Sequence, residues 1–571
     1  MLRELRERCA ERERGEGEAC LNLPASSRSA ARNLLHATAM DEAETGELDA
    51  LCARLGVRTP TLAPGGVLAA IDAASRACAA IAGEPDVPGE PPEAGDETEG
   101  ASARARAAGA LLGASPGRVR IVATLPPAAD EAGVRAMGEG GMDVARLNTA
   151  RVDPARWVAA AAMLRRARPS CRLLVTLPGP RLRTGAIEPG ARVVRVRPER
   201  DAMGQVVEPG RVRLVAEESA GEGDVPLPAP FLASLRHGDK LRMLDARGRE
   251  RTLVIIGEGD ARGGRLALCA RTAYITGGLP VSLEHPAGRA PEARIGAVEP
   301  VAQTLTLRVG DRLFLTRSQS PGRPATGAHP ARLACTLPGV LDDLGVGSRV
   351  VLDEGRIEAT VARVNDAGAE VEVVRTRRAV ERLGGDRPIH LPGVRMSVPL
   401  LSERDERALA FAAAHADAVG VSFCRDAADL DLIESRLRSH LPAGRAMPGV
   451  VLTVETEGMA QALDGLLLRA LGWSGCGVLL SRGELSVETG SARLPRVESR
   501  VVRLAQAARV ALLYSTPALR SLVRRGRPGR SEPGDQGALL AADAAVLGTG
   551  ERIGEAVRWL DGHLRASIVS G

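Results

Sequence analysis

Short runs of β-branched and aliphatic residues recur along this 571-residue chain, each followed by a stretch in which apolar residues return every three or four positions. The runs are RVRIVATL (118–125), MDVARLN (142–148), CRLLVTL (171–177), ADAVGVSF (416–423), GVVLTVE (449–455), CGVLLSRG (476–483), ARVALLYS (508–515) and DAAVLGTG (543–550). A short strand followed by an amphipathic helix is the repeating βα unit. PARWVAAAAMLRRA follows the second run and PRVESRVVRLAQAA the sixth, whereas a long segment parts the third from its helix, ERDERALAFAAAHA. Eight units in this order predict an α/β fold, a (β/α)8 TIM barrel with one domain inserted after the third strand.

The inserted segment, 186–397, alternates β-branched runs with turn sequences such as DARGR, DEGR and NDAG, which predicts an antiparallel, barrel-like β lid. HGDKLRML (237–244), VGDRLFL (309–315) and VGSRVVL (346–352) repeat a glycine turn feeding an alternating strand. Residues 1–82 carry helical spacing in ARNLLHATAM, LDALCARLGV and GGVLAAIDAASRACAAIA, and predict a small helical domain. Residues 83–116 open with prolines, glycines and acidic groups and are expected to be an acidic flexible linker and lead-in. The barrel is then expected in two parts, 117–185 for strands one to three and 398–571 for strands four to eight.

Composition narrows the function. A net charge of +5 is a mild excess, and nine aromatic residues are too few to interleave with a basic stripe, which argues against nucleic-acid binding. Nine cysteines without a CxxC pair point to free thiols in a reducing compartment, hence to the cytoplasm, and no apolar stretch is long enough for a membrane span. Lys240 is the only lysine among 76 basic residues.

Barrel sites form at the carboxyl ends of the strands, and reactive side chains gather there in this sequence. Arg146 and Asn148 close the second strand, Arg183 follows the third, Glu455 ends the fifth, Glu484 follows the sixth and Thr516 ends the seventh. Two carboxylates on neighbouring strands supply hard oxygen ligands for Mg2+ or Mn2+, so Glu455 and Glu484 are the candidate metal ligands. Arg146 and Arg183 offer planar donor forks that suit phosphoryl oxygens. Gly483 lets the backbone approach a substrate closely.

MDVARLN (142–148), GPRLRTG (179–185), TVETEG (453–458), SRGELSVE (481–488) and ST (515–516), in this order, resemble pyruvate kinase, and the likeness covers roughly residues 117–571. The resemblance implies phosphoryl transfer from phosphoenolpyruvate to ADP, giving pyruvate and ATP, with Mg2+ or Mn2+ on Glu455 and Glu484. It gives Arg146, Arg183 and Thr516 catalytic roles, and puts Gly483, Glu484, Thr516, Asn148 and Ser422 against the substrate, with Arg425 beside Ser422. Asp353 becomes the lid residue that reaches over the site.

Departures from the family are equally specific. Thr453 stands where the family has the lysine that neutralises the transferring phosphoryl group. Asn148-Thr149-Ala150 and Thr176 erode the K+ ligands, and Arg151 takes the place of a histidine. The chain is expected to lack the family's C-terminal regulatory domain, and a homo-oligomer is left open. Three functions therefore follow from the resemblance: a pyruvate kinase impaired by Thr453, an inactive homologue that binds an anionic metabolite or a protein partner, and metal-dependent enolate chemistry of the decarboxylase or aldolase kind.

Overall fold

The computed structural model describes residues 1–43, 45–83, 96–114, 119–258, 264–284, 291–327, 329–515, 517–526 and 539–569. The chain divides into two compact units, one made of Met1–Arg183, Leu337–Arg377 and Pro388–Gly571, the other of Thr184–Thr336 and Arg378–Arg387.

The first unit holds the barrel. Its strands are β1 (Arg120–Thr124), β2 (Val144–Asn148), β3 (Arg172–Thr176), β4 (Ala418–Ser422), β5 (Gly449–Val454), β6 (Cys476–Ser481), β7 (Ala511–Ser515) and β8 (Ala544–Leu547). Each lies parallel to the next, and β8 returns to β1 with Val122 opposite Val546, so the sheet closes. Alternation along the strands divides the core in two. Val122, Val144, Leu174, Val451, Leu479 and Val546 fill the interior, whereas Ile121, Leu147, Val175, Leu452 and Leu480 meet the surrounding helices. Side-chain caps start the helices sharply. Ser402 and Asp405 form a capping box on Glu403–His415, and Asp426 and Thr456 accept backbone N–H bonds at the next two helix starts.

Part of the expected linker over 83–116 is instead structural. Asp96–Leu112 is a helix, and its Ala108, Leu111 and Leu112 join the interior cluster of the barrel. Gly449 and Gly477, at the starts of β5 and β6, make room for it: a Cβ on Gly477 would come within 2.8 Å of Leu111 Cδ2. Of the acidic residues that suggested a linker, Asp96, Glu97 and Glu99 fall at the start of this helix, and the others belong to 84–95, which lie outside the described residues.

The helices within residues 1–82 likewise share the barrel's core. Cys20, Ala30, Ala31, Leu34 and Leu35 belong to the same buried cluster as the strands and barrel helices.

The second unit is a β domain. Its main sheet has seven strands, largely antiparallel, over a core that includes Leu214, Leu241, Leu253, Ile255 and Ile275. Residues 337–377, expected inside the inserted domain 186–397, fold with the barrel unit, as the antiparallel strands Arg349–Leu352, Ile357–Asn365 and Gly368–Thr376. The three repeated glycine turns appear as Gly238, Gly310 and Gly347, all with φ near +90° at 89°, 86° and 90°, each leading into a strand. Among the described residues, no helix is long and apolar enough to cross a membrane.

Candidate functional site

A cavity of about 760 Å³ opens at the carboxyl ends of the barrel strands. Its wall takes Thr124 from β1, Arg146 and Asn148 from β2, the Pro180–Arg183 turn after β3, Thr453 and Glu455 at the end of β5, Ser481 to Glu484 around the end of β6, and Ser515 from β7. The parallel barrel makes this convergence automatic, because every strand ends on the same rim.

Glu455 is the most enclosed acid there, with a side chain 6% exposed. Both its oxygens accept from Nη2 of Arg181, at 3.2 Å to Oε1 and 2.9 Å to Oε2. Burial pushes the Glu455 carboxyl above its ordinary pKa; Arg181 opposes that rise and the neighbouring Glu484 adds to it. Glu484 shifts the other way. Burial works against its charge, but the Ser481 hydroxyl, donating at 2.7 Å, together with Arg520 and Arg181, holds it below the usual carboxylate range. Arg520 also bonds Glu484 Oε1 at 3.4 Å and Glu354 at 3.2 Å.

Arg146 lines the cavity from β2, and its Nε donates to the Thr176 hydroxyl at 3.3 Å. Burial first, and then the like charges of Arg181 and Arg151, pull it down to about 10 against the opposing pull of Glu455 and Glu484, which leaves it a cation at neutral pH. Arg151 donates to the Thr549 hydroxyl at 3.2 Å. Thr453 Oγ1 is buried in the cavity wall and has no hydrogen-bond partner among the described residues.

The structure brings together Arg146, Asn148, Arg183, Gly483, Glu455 and Glu484. It does not bring every expected residue with them. The Asn148 side chain turns onto its own loop and accepts from Ala150 N at 3.1 Å. Ser422 is buried at the end of β4, and the wall there is formed by Phe423, Cys424 and Arg425. Arg425 is itself committed, with two nitrogens on Asp429 and a third on the carbonyls of Met396 and Val398. Asp353 binds Arg356 at 2.7 Å; the next residue, Glu354, is the one that lines the cavity. Both occupy left-handed backbone, at φ 52° and 56°, so the turn aims successive side chains apart. Thr516 lies outside the described residues.

Four cavity residues escaped the sequence reading: Arg181, Arg520, and the pair His390 and Glu488, joined at 3.2 Å. Arg181 had a signal, since it stands two positions before Arg183 in an extended run and so projects to the same side. Glu488 had one too, as the last residue of the SRGELSVE motif on the helix that carries Glu484, whereas Arg520 and His390 come from distant segments with no local mark.

As arranged, these residues do not fit a divalent cation. The guanidinium of Arg181 covers both oxygens of Glu455, and Ser481 and Arg520 take those of Glu484. Among the described residues, no three His, Cys, Asp or Glu side chains group closely enough to hold a metal ion.

Residues 274–555 match the family model for the pyruvate kinase barrel domain. Among curated proteins the chain is similar to a pyruvate kinase of Geobacillus stearothermophilus, 26% identical over 317 residues that make up 55% of this chain and 51% of that protein. It is 30% identical over 232 residues to one of Mycobacterium tuberculosis, covering 40% of this chain and 46% of the relative. A third likeness is to pyruvate kinase 2 of a Synechocystis species, 25% identical over 292 residues, 48% of this chain and 45% of that protein. The chain thus spans about half the length of the curated relatives it matches.

Proposed function

We propose that the barrel of this chain, a member of the pyruvate kinase family, performs the family's reaction in kind, phosphoryl transfer from phosphoenolpyruvate to ADP, at a reduced rate. The observation that carries this reading is the meeting of Arg146, Arg151, Arg183 and Arg520 around Glu455 and Glu484 in one cavity at the strand ends. Arg146, Arg151 and Arg183 would hold the phosphoryl oxygens through charge-assisted N–H donors. The backbone around Gly483, at the first turn of helix Arg482–Thr489, would take the substrate carboxylate.

The bond from phosphorus to the enol oxygen breaks, a bond to a terminal oxygen of ADP forms, and the enolate carbon takes a proton to give pyruvate. Thr516, next to the cavity residue Ser515, is the proposed neighbour of that carbon. The family's divalent ion is assigned no step, because the carboxylates that would carry it are held by arginine and serine. The same arrangement weighs against metal-dependent decarboxylase or aldolase chemistry. One observation favours a second reading, binding without transfer: Thr453 brings a neutral hydroxyl where a cation would stabilise the transferring group. Loss of one electrostatic donor slows such reactions by about 10²–10³-fold.

Pyruvate formation from phosphoenolpyruvate and ADP, followed in a coupled assay at micromolar enzyme, tests the proposal. Slow, ADP-dependent turnover is expected. No pyruvate, with phosphoenolpyruvate still raising the melting temperature, would shift the assignment to the binding protein.

A further inference from the structure

We infer that this cavity receives its phosphorylated ligand directly on guanidinium groups, with no divalent cation between ligand and protein. The inference rests on the reading that the cavity takes a phosphorylated acid, and adds how it does so. The charges in the wall are unequal: among the described residues eight arginines line the cavity against four glutamates. Glu455 pairs with Arg181, Glu484 and Glu354 share Arg520, and Glu488 bonds His390 at 3.2 Å. What Arg146 and Arg151 meet by hydrogen bond is neutral: the hydroxyls of Thr176 and Thr549.

Arg146 is half-buried, with the like charges of Arg181 and Arg151 as well as the opposite charges of Glu455 and Glu484 around it, and where arginines are in excess an anion brought in from solvent is the favoured addition. A divalent cation would do the opposite. It would add two positive charges beside Arg146 and would first have to break the two contacts of Arg181 with Glu455.

In this arrangement Arg181 is a positioning residue: it neutralises Glu455, which would otherwise repel the ligand or attract a metal ion. Removing its charge should therefore convert the site rather than merely weaken it. The test is calorimetric titration of phosphoenolpyruvate into the full chain, once with excess EDTA and once with Mn2+, with Mn2+ alone titrated as a control.

The native chain is expected to bind with dissociation constants within about threefold of each other in the two buffers, since direct pairing of charges needs no mediator. Arg181→Gln is expected to lose at least about tenfold in the EDTA titration and to acquire Mn2+ binding, Glu455 now being open. Circular dichroism and an unchanged melting temperature check that the variant is folded. Arg181→Lys, which keeps the charge, provides the second variant and should retain metal-free binding.

Native binding that appears only with Mn2+ would overturn the inference while leaving the functional assignment standing. Absence of binding in both buffers would overturn the assignment and the inference together.

Discussion

Thr453 is the residue on which the rate of the proposed reaction is expected to turn. It lies near the end of β5, two residues before Glu455, and lines a cavity roomy enough for a longer side chain. Thr453→Lys places an ammonium among the proposed phosphoryl contacts and takes the place of an unpartnered hydroxyl. The expected outcome is a rise in kcat of about 10²-fold, the magnitude of one electrostatic donor, measured at saturating phosphoenolpyruvate. An unchanged kcat would mean that more than one charge is missing. A second residue, Asp245, contributes to the acid stability of the β domain. Burial opposes its charge, but backbone N–H groups of Arg249 and Arg247 and the Arg247 and Arg251 guanidiniums outweigh that and lower it from 3.8 to about 2. A folded-state pKa below the unfolded value stabilises the protein above about pH 4 and is lost as pH falls toward 2. The melting temperature should drop across that window, and Asp245→Asn should flatten the drop while lowering the plateau.

Elements were legible in proportion to how local their cause is. Eight strands could be read because each is a run of aliphatic residues, and the capping residues Ser402, Asp426 and Thr456 mark where helices begin. The glycine turns before 240, 312 and 349 could be read because only glycine takes that backbone without strain. Helix Asp96–Leu112 was hidden because its acidic start continues the composition of the preceding segment, and only its last turn is strongly apolar. The site divides in the same way. Arg146, Glu455 and Glu484 stand at or just past strand ends and were visible, whereas the Arg181–Glu455 pair joins positions 274 residues apart and depends on the tertiary fold. Asp353 and Glu354 were separated only by backbone geometry. The hidden helix carries its own prediction. Leu111 is 3% exposed and packs on the glycines that begin β5 and β6, so Leu111→Ala opens a void at the base of the barrel. A loss of about 2–5 kcal/mol in denaturant unfolding is expected, with the dissociation constant for phosphoenolpyruvate unchanged because the cavity lies at the other end of the strands.

At the scale of the barrel unit, the question is whether the N-terminal helices are an appendage or part of the fold. Asn33, buried on helix Ala25–Asp41, answers in hydrogen bonds: its Nδ2 donates to Pro64 O at 2.7 Å and Ala507 O at 2.9 Å, and its Oδ1 accepts from Val67 N at 2.9 Å. One side chain therefore ties that helix to the 64–67 loop and to the end of barrel helix Leu494–Ala507. Ion pairs from Asp41 to Arg500 and Arg503 reinforce the same seam, and Arg509 reaches Ser29 and the Gly65 carbonyl across it. Asn33→Ala removes all three bonds and strands two carbonyls and one N–H in a closed interface. Each unmet group costs about 1–3 kcal/mol, so the loss should exceed that of an ordinary surface change several-fold. Because the seam belongs to the barrel's own core, the variant should unfold in a single transition at lower denaturant with an unchanged slope. An early separate transition, leaving a barrel that still binds phosphoenolpyruvate and melts at the native temperature, would show instead that residues 1–82 fold independently. Deletion of those residues distinguishes the cases again: loss of soluble barrel is expected, since Ala507 and its neighbours on Leu494–Ala507 would face water.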